Sequence, residues 1–310
     1  MYDVVIVGAG RAGTAAALAL VQRGIYGSDR LLVLDHQAQA AGWNRPYWCA
    51  VAPAAERTLE EFQSLVRENV LTFRPSTTAV GVLHGHTGQA HVVLARHRGG
   101  TDELETRFIV IASGSFDRPR EAMRIPGTRP AGVITGQQLH IFMDRGWLPG
   151  RRILLVARSP FREIIEKRLR ECGVAPTAVV TPPEETRATG GPVCGDGEIR
   201  RFEGTVVDLV GFPRVERAVV QTSTQNSVSI DCDCVVFCIG RMPNALFLKG
   251  SGVCVQPGGG LWVNERGETS LQGIYALGSC VTGESLCPLD PSLARIADSI
   301  QEALSQSAKS

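Results

Sequence analysis

Three glycines near the N-terminus have the spacing of a phosphate-binding turn. Gly8, Gly10 and Gly13 form the pattern G-x-G-x-x-G, directly after the apolar run YDVVIV and before an alanine-rich helical segment. In such a turn the first glycine allows the tight bend, the second lets the backbone approach a pyrophosphate, and the third lets the helix pack against the strand. The phosphates would lie at the helix N-terminus, where backbone N–H groups and the helix dipole favour negative charge.

Asp35 completes this pattern. It lies 22 residues after Gly13, at the end of the apolar run LLVL. A carboxylate at this place accepts hydrogen bonds from a ribose 2′-hydroxyl and repels a 2′-phosphate. The residues therefore predict an ADP-containing ligand without a 2′-phosphate, which means FAD or NAD. The early position of the turn and a second unit later in the chain favour FAD, although the spacing alone does not settle the choice.

The cysteines show no such pattern. There is no C-x-x-C pair, which argues against a dithiol redox motif and against a zinc knuckle. The nine residues are Cys49, Cys172, Cys194, Cys232, Cys234, Cys238, Cys254, Cys280 and Cys287. Within the apolar run CDCVVFCIG, strand alternation predicts that Cys232, Cys234 and Cys238 share one buried face.

Catalytic candidates are weak, and the catalytic residues stay unknown. Cys49 and Cys280 are thiols that a tertiary fold would have to bring together, and His140 lies on a predicted helix, where an ordinary surface position is the simpler interpretation. His84 and His86 would point to one side of a strand, but no third ligand stands nearby. We therefore predict no metal site.

Two successive strand-helix-strand segments are predicted to position these residues. The first contains the glycine turn and ends at Asp35, and the second reads RRILLVA, REIIEKRLRECG and TAVV. This duplication predicts an α/β fold with two Rossmann-like, three-layer domains of mostly parallel sheet, the second inserted in the first. We expect a nucleotide-binding domain over residues 1–118 plus 242–310 and a second domain over 119–241.

Composition and charge exclude several classes of protein. The chain has 310 residues, 44% hydrophobic and 20% charged, with a formal net charge of +1. This balance is typical of a globular protein and supplies no electrostatic footprint for nucleic acid. The start MYDVVIVGAG has no leader pattern, and no apolar run is long enough to span a bilayer. We expect a cytoplasmic protein without a membrane span.

Four segments carry a resemblance to a known family: VVIVGAGRAG, FIVIASGS, VVFCIGRMPN and ETSLQGIYALGS. They resemble the landmark segments of the pyridine nucleotide-disulfide oxidoreductase superfamily, in its small thioredoxin-reductase-like form. The stretch IPGTRPAGVITGQQL followed by GRRILLVA is similar to the flavin-binding subunits of hydrogen cyanide synthase, opine oxidase and hydroxyproline dehydrogenase.

The resemblance implies that FAD is the cofactor, that it extends through the first domain, and that NAD(P)H, where used, binds the second. Carried over residue by residue, it predicts a set of FAD contacts. These are Gly8, Gly10, Gly13 and Asp35 at the ADP moiety, Ser113 and Gly114 near it, and Gly278 with Ser279 near the ribityl chain and pyrophosphate.

The second unit departs from the family pattern. Its glycine turn is replaced by the sequence ARSPFR, residues 157–162. Side chains at Ala157 and Ser159 obstruct close backbone approach, Arg162 replaces a residue that packs helix on strand, and Pro160 lacks an N–H group. We do not expect ordinary NAD(P)H binding at this turn.

Two more departures concern the flavin and the thiols. Ser279 stands where the family usually has Asp or Asn, so FAD binding is expected to be weaker, or the ligand to be a shorter adenine nucleotide. No dithiol occupies the place where thioredoxin reductases keep theirs.

We therefore expect an FAD-dependent oxidoreductase subunit that dehydrogenates an amine, amino acid or imino acid and passes electrons to a partner, in a hetero-oligomer or homo-oligomer. One alternative is a thioredoxin-reductase-like flavoprotein that uses NAD(P)H. Another is a non-catalytic subunit that binds FAD or an adenine nucleotide.

Overall fold

A computed structural model describes residues 1–41, 54–85, 90–182, 199–222, 226–283 and 292–307. The chain divides into two units. The first unit is Met1–Phe116 with Arg241–Ser310, and the second unit is Asp117–Gly240. Cys49, Cys194, Cys287 and His86 lie outside the described residues.

The first unit is built on a seven-stranded sheet with the order β3-β2-β1-β6-β5-β4 and with β16 paired to β6. Its strands are β1 (Tyr2–Val7), β2 (Leu31–Leu34), β3 (Thr72–Arg74), β4 (Thr78–Leu83), β5 (His91–His97), β6 (Gly100–Ile111) and β16 (Ile274–Ala276). β1 pairs in parallel with β2 and β6, and β16 pairs in parallel with β6. β4 and β5 form an antiparallel excursion next to β6, as the alternating sequence predicts.

Helices of the first unit pack on this sheet and on one another. They are α1 (Arg11–Gln22), α2 (Ala54–Arg67), the four-residue α6 (Ser279–Thr282) and α7 (Ser292–Ser307), together with a 3-10 turn at Leu246–Leu248. α1 buries Ala15, Ala16, Ala17 and Leu20, and it contacts α2 and α7. Because alanine side chains are small, α1 can lie close to these two helices.

The second unit repeats the same architecture. Its seven-stranded sheet has the order β13-β12-β11-β10-β9-β14-β8. The strands are β8 (Val133–Thr135), β9 (Ile153–Ala157), β10 (Ala178–Thr181), β11 (Arg200–Val210), β12 (Arg217–Thr222), β13 (Ser227–Asp231) and β14 (Cys234–Cys238). β8, β14, β9, β10 and β11 pair in parallel, whereas β11, β12 and β13 pair antiparallel.

Helices α3 (Arg120–Met123), α4 (Gly136–Asp144) and α5 (Phe161–Glu171) complete the second unit. A capping box starts α4, because the Thr135 side chain accepts from the Gln138 N–H and the Gln138 side chain accepts from the Thr135 N–H. The two short strands β7 (Ser115–Asp117) and β15 (Arg241–Pro243) pair with each other. The predicted α/β fold with two Rossmann-like units is confirmed.

One packing prediction is wrong. Cys232, Cys234 and Cys238 are all buried, but only Cys234 and Cys238 share a hydrophobic cluster. Cys232 packs in the other cluster, with Val235 and Phe237. β14 begins at Cys234, so the two-residue alternation that holds inside a strand does not extend back through Asp233 to Cys232.

No helix in the described ranges is both long and apolar enough to cross a bilayer.

A buried ion pair ties α5 to β11 in the second unit. The Arg201 guanidinium donates to both carboxylate oxygens of Glu166, each at 2.9 Å, and Arg170 adds a contact at 3.1 Å. The Glu166 side chain is only 6% exposed. Burial by itself would raise the pKa of the Glu166 carboxyl, but the hydrogen bonds and positive charge of Arg201, with Arg170 and Arg162, hold that pKa below its ordinary value.

Replacing Arg201 by methionine is expected to lower the free energy of unfolding of the second unit by on the order of 3 kcal/mol, because a buried carboxylate loses its bidentate partner. The measurement is urea unfolding at pH 7. The exposed pair of Arg129 and Glu121, with side chains 74% and 60% exposed, supplies the control. Arg129→Met should change the free energy by less than about 0.5 kcal/mol.

The effect of Arg201→Met should also depend on pH. Since the folded Glu166 pKa is lowered, the pair stabilises the protein fully above the ordinary glutamate pKa, and this stabilisation is lost as the pH falls through the folded value. The difference between wild type and variant should shrink on acidification. A difference that stays constant down to pH 3 would contradict this assignment.

Candidate functional site

The carboxyl ends of three parallel strands bring distant segments to one edge of the first sheet. β1 is followed by the glycine turn, β6 by residues 112–114, and β16 by Gly278. Because parallel strands end at the same edge, residues from the two ends of the sequence meet there.

At Gly8 and Gly13 the turn is packed so closely that there is no room for a side chain. A Cβ added to Gly13 would stand 1.8 Å from the carbonyl oxygen of Gly8. Gly8 has φ +105°, and a Cβ on it would stand 2.4 Å from the carbonyl oxygen of Ala112 and 3.4 Å from the Ser113 Cα. All these neighbours are backbone atoms, so they cannot move aside as a flexible side chain would. The turn as built excludes any larger residue at Gly8 or Gly13.

Gly10 is the N-cap of α1, with extended backbone angles of φ −73° and ψ −179°. It has no side chain to cap the helix, and the first turn of α1 contains no acidic residue. The first backbone N–H groups of α1 are therefore directed toward the space where an anion would lie.

Asp35 faces this turn. Its Oδ2 accepts a hydrogen bond from the Ala9 N–H at 2.7 Å, and its Oδ1 accepts one from the Gln37 N–H at 2.8 Å. The residue is 9% exposed. The His36 Nδ1 also lies 3.2 Å from Oδ1. A carboxylate has about four lone-pair positions, so capacity for a sugar hydroxyl remains on Oδ2. The same hydrogen bond to Ala9 also holds the glycine turn against the end of β2.

Residues from the second half of the chain close the edge. A Cβ added to Gly278 would stand 2.8 Å from the Cβ of Ala12, in the first turn of α1. One added to Gly114 would stand 3.7 Å from the Oγ of Ser279. The structure thus brings the glycine turn, the segment after β6 and the segment after β16 into one place.

Asn244 and Arg241 hold the segment after β6, and the sequence analysis did not select them. The Ser113 hydroxyl donates to the Asn244 carbonyl oxygen at 2.6 Å, and the Asn244 N–H donates to the Gly114 carbonyl oxygen at 2.9 Å. The Arg241 Nε donates to the Ser115 Oγ at 2.9 Å. Both residues belong to the segment GRMPN, which contributes to the family resemblance. The resemblance assigns no role to either residue.

The corresponding turn of the second unit is built differently. Ala157 is the last residue of β9 and is fully buried. The Ser159 hydroxyl lies 3.1 Å from both carboxylate oxygens of Glu163, in the first turn of α5. Arg162 donates to Thr181 at 3.4 Å and forms an ion pair with Glu163. The Glu163 carboxylate therefore lies at the N-terminus of α5. A phosphate bound there would compete with it for the positive end of the helix dipole.

Cys280 has the properties of an inert core thiol. It is fully buried, its Sγ lies 3.2 Å from the Leu277 carbonyl oxygen, and burial raises its pKa to about 11. The thiolate, which is the reactive form, is therefore scarce at neutral pH. Cys49, its suggested partner, lies outside the described residues.

His140 is not on the helix surface, and the prediction of an ordinary surface histidine is wrong. It is fully buried with Leu139 and Met143 on the face of α4 that packs into the second unit. Burial and, to a smaller extent, the positive charge of Arg168 lower its pKa to about 4. His140 is neutral at pH 7, and it belongs to the second unit, whereas the glycine turn belongs to the first.

His84 stacks on His91, with ring centroids 5.1 Å apart. Burial, together with the charge of His84, lowers the pKa of His91 to about 4. Across the residues that the structure describes, no group of three or more His, Cys, Asp or Glu side chains is arranged to hold a metal ion.

Comparisons with known proteins agree with this geometry. The F subunit of the alkyl hydroperoxide reductase of Pseudomonas aeruginosa is 27% identical over 306 residues, which cover 91% of this chain and 54% of that protein. The A subunit of the opine oxidase of Agrobacterium tumefaciens is 26% identical over 196 residues, which cover 58% of this chain and 36% of that protein. The chain spans about half or less of the length of these relatives.

Among solved structures, a Lactococcus lactis thioredoxin reductase is similar in fold, with a TM-score of 0.72 over 100% of both chains and 16% sequence identity.

The sequence pattern of the pyridine nucleotide-disulphide oxidoreductase family matches residues 2–145 and 199–307, which are most of the chain. Members of this family are FAD-dependent oxidoreductases. With the glycine turn, Asp35 and the segments after β6 and β16 at one sheet edge, the chain belongs to the pyridine nucleotide-disulphide oxidoreductase family.

Proposed function

We propose that the protein is an FAD-binding oxidoreductase subunit that dehydrogenates an amine, amino acid or imino acid and passes the electrons to a partner instead of NAD(P). The observation that carries this proposal is the contrast between the two turns. The turn of the first unit has backbone only at Gly8 and Gly13, whereas the turn of the second unit contains Ser159 bonded to Glu163.

The residues of the first unit fit FAD. We assign the FAD-binding domain to residues 1–118 plus 242–310, with Gly8, Gly10, Gly13 and Asp35 at the ADP moiety. Asp35 would accept a ribose hydroxyl with the remaining lone pair of Oδ2, since it lies at the turn and is bonded to Ala9.

Hydroxyl-bearing segments continue the site beyond the ADP moiety. Ser113 and Gly114 would line the cofactor, and Gly278 and Ser279 would lie near its pyrophosphate and ribityl chain. Their closeness supports this assignment, because Gly114 approaches Ser279 and Gly278 approaches the first turn of α1. Asn244 is a positioning residue for Ser113.

FAD would supply a two-electron acceptor for the hydride that leaves the carbon next to the substrate nitrogen. The residues of this chain would bind and orient the cofactor. Neither Cys280 nor His140 is suited to remove the substrate proton, since both are fully buried and His140 belongs to the second unit. Cys49 stays a weak candidate, and the catalytic base is not assigned.

The second unit, assigned to residues 119–241, would be a degenerate NAD(P)-binding-like domain. Two features support this assignment: the Ala157 methyl group, and the Glu163 carboxylate at the start of α5, which Ser159 contacts. A dinucleotide phosphate brought to this turn would meet the negative charge of Glu163 and would compete with it for the helix dipole.

The opine oxidase relative supports a substrate with a carbon–nitrogen bond and a function that needs another subunit. The formal net charge of +1 agrees with a small-molecule substrate and supplies no electrostatic footprint for nucleic acid.

The purified protein should be yellow. Under anaerobic conditions, neither NADH nor NADPH should reduce its flavin. The measurement is the absorbance near 450 nm, recorded anaerobically after each addition of NADH or NADPH. Dithionite is the positive control, because it reduces any accessible flavin. Rapid bleaching by either nicotinamide would refute electron transfer that bypasses NAD(P).

Gly13→Ala should weaken FAD binding. The added methyl group would overlap the Gly8 carbonyl oxygen, and overpacking of this kind costs about 1–3 kcal/mol. We expect a loss of FAD affinity on the order of tenfold, measured by titration of the flavin-free protein.

The control is Gly258→Ala, since a Cβ on Gly258 meets no atom within 4 Å, and it should keep wild-type affinity. Heating the wild-type protein should release FAD. Release of a colourless adenine nucleotide alone would favour the non-catalytic nucleotide-binding subunit.

A second candidate is a thioredoxin-reductase-like enzyme that uses NAD(P)H, and the fold similarity to thioredoxin reductase favours it. That function needs two thiols close enough to form a disulfide. In the described part of the chain no disulfide joins the cysteines, which are Cys172, Cys232, Cys234, Cys238, Cys254 and Cys280. Burial raises the pKa of Cys232 to about 11 and that of Cys234 to about 12.

If the proposed function is right, the oxidised protein unfolded in denaturant should show the same number of titratable thiols before and after treatment with a reductant. A gain of two thiols on reduction, together with bleaching by NADPH, would establish the thioredoxin-reductase-like alternative. Cys49, Cys194 and Cys287 would then be the first residues to replace.

A further inference from the structure

One end of the second unit exposes large apolar side chains on two loops. Trp147 is 62% exposed and Leu148 is 40% exposed in the loop between α4 and β9. Phe212 is 84% exposed in the loop between β11 and β12. Large apolar side chains that are grouped on one surface are typical of sites that bind a partner or a membrane. Residues 145–152 and 211–215 together are called the tip of the second unit below.

Hydrogen bonds join the two loops of the tip into one surface. The Arg214 guanidinium donates to the carbonyl oxygen of Pro149, and its Nε donates to the carbonyl oxygen of Asp233 at 2.8 Å. The Asp233 Oδ1 accepts from the backbone N–H groups of Arg151 and Arg152, each at 2.9 Å. The tip is therefore already ordered, and a ligand would not have to pay the entropy of fixing it.

The tip lies at the opposite edge of the sheet from residues 158–162, the degenerate turn of the second unit. Arg151 and Arg152 directly precede β9, and Asp233 directly precedes β14, whereas the degenerate turn follows β9. β9 and β14 pair in parallel, so their starts lie at one edge and their ends at the other. Nucleotides bind at the carboxyl ends of the strands in such sheets. The tip is therefore separate from the nucleotide-binding edge.

Arginines accompany the apolar side chains of the tip. Arg145, Arg151 and Arg152 are exposed. Among the residues that the structure describes, no carboxylate forms an ion pair with any of these three. Arg214 adds a fourth positive charge, because the partners of its guanidinium are neutral carbonyl oxygens.

Nearby acidic side chains offset only part of this charge. Asp144 forms an ion pair with Arg168 at 2.5 Å, and Asp231 lies opposite Arg217 where β12 pairs with β13. The exposed Glu216 and the half-buried Asp233 carry the remaining negative charges. The four arginines outnumber these two carboxylates, so the tip has an excess of positive charge.

We propose that the tip binds the surface of a membrane that contains anionic phospholipids. The guanidinium groups would bind the phosphate oxygens of the headgroups, and the side chains of Trp147, Leu148 and Phe212 would enter the boundary between headgroups and acyl chains. A fluid bilayer fits these side chains because it needs no preformed groove to receive them, whereas a protein partner would need one. This inference does not depend on the flavin, so it can fail while the proposed function stands.

The test is sedimentation of the full-length protein with vesicles of phosphatidylcholine and phosphatidylglycerol in equal amounts, and with vesicles of phosphatidylcholine alone. The anionic vesicles should bind about tenfold more tightly or better, because each arginine near an anionic surface contributes about fivefold. Added salt should weaken this preference. Equal binding to both kinds of vesicle, or binding to neither, would overturn the proposal, and the second result would favour an acidic protein partner.

Variants of the tip separate its two contributions. Replacing Arg151 and Arg152 together by glutamine should weaken binding to the anionic vesicles by roughly 25-fold, since two positive charges are lost. Phe212→Ser should weaken binding to the same vesicles by about tenfold, because the ring no longer enters the bilayer. Unchanged binding in either variant would contradict the assignment of the tip.

The matched controls come from the first unit. Arg96 and Arg98 are exposed there, and replacing both by glutamine removes the same amount of charge. Trp262 is 46% exposed, and Trp262→Ser is the control for Phe212→Ser. The controls should bind vesicles as the wild type does, and a matching loss in them would overturn the proposal. Urea unfolding should be alike for all these variants, since every replaced side chain is exposed.

Discussion

The structure depends on the close approach of Gly13 to the Gly8 carbonyl. Only a residue without a Cβ fits there, because the added atom would lie 1.8 Å from a backbone oxygen. This contact lets α1 start only three residues after the end of β1, which leaves the first N–H groups of α1 at the edge of the sheet. The hydrogen bond from Ala9 to Asp35 then fixes the turn against β2. A small steric constraint thus sets both the packing of the helix and the shape of the anion-binding turn.

The two units show how one architecture supports different local chemistry. Each has a strand, a turn, a helix and a parallel strand in the same order, with fully buried residues along β1 and β9. In the first unit the turn presents backbone, whereas in the second it contains a hydroxyl, a guanidinium and a carboxylate that bond to one another. Fold similarity alone therefore does not decide what a unit binds.

Burial also controls which titratable groups are chemically available. Cys280 and His140 attracted attention as reactive residue types, but each is held in its neutral form by the apolar surroundings that bury it. Glu166 is the opposite case, since Arg201 supplies enough hydrogen bonding and charge to keep a buried carboxylate ionised. The difference is the presence of a paired cation, which composition cannot reveal.

The sequence by itself determined the strand-helix-strand order, the antiparallel excursion and the duplicated fold, because apolar periodicity and glycine spacing are local properties of the chain. It also singled out Gly8, Gly13 and Asp35, whose roles as FAD contacts remain predictions. Tertiary structure alone decided that Asn244 and Arg241 hold the segment after β6, that His140 is buried, and that Cys232 packs apart from Cys234. Asn244 and Arg241 contact residues more than a hundred positions away, and such a separation leaves no local pattern that predicts the contact. The burial of His140 and the packing of Cys232 depend on which surfaces meet after folding and on where β14 begins.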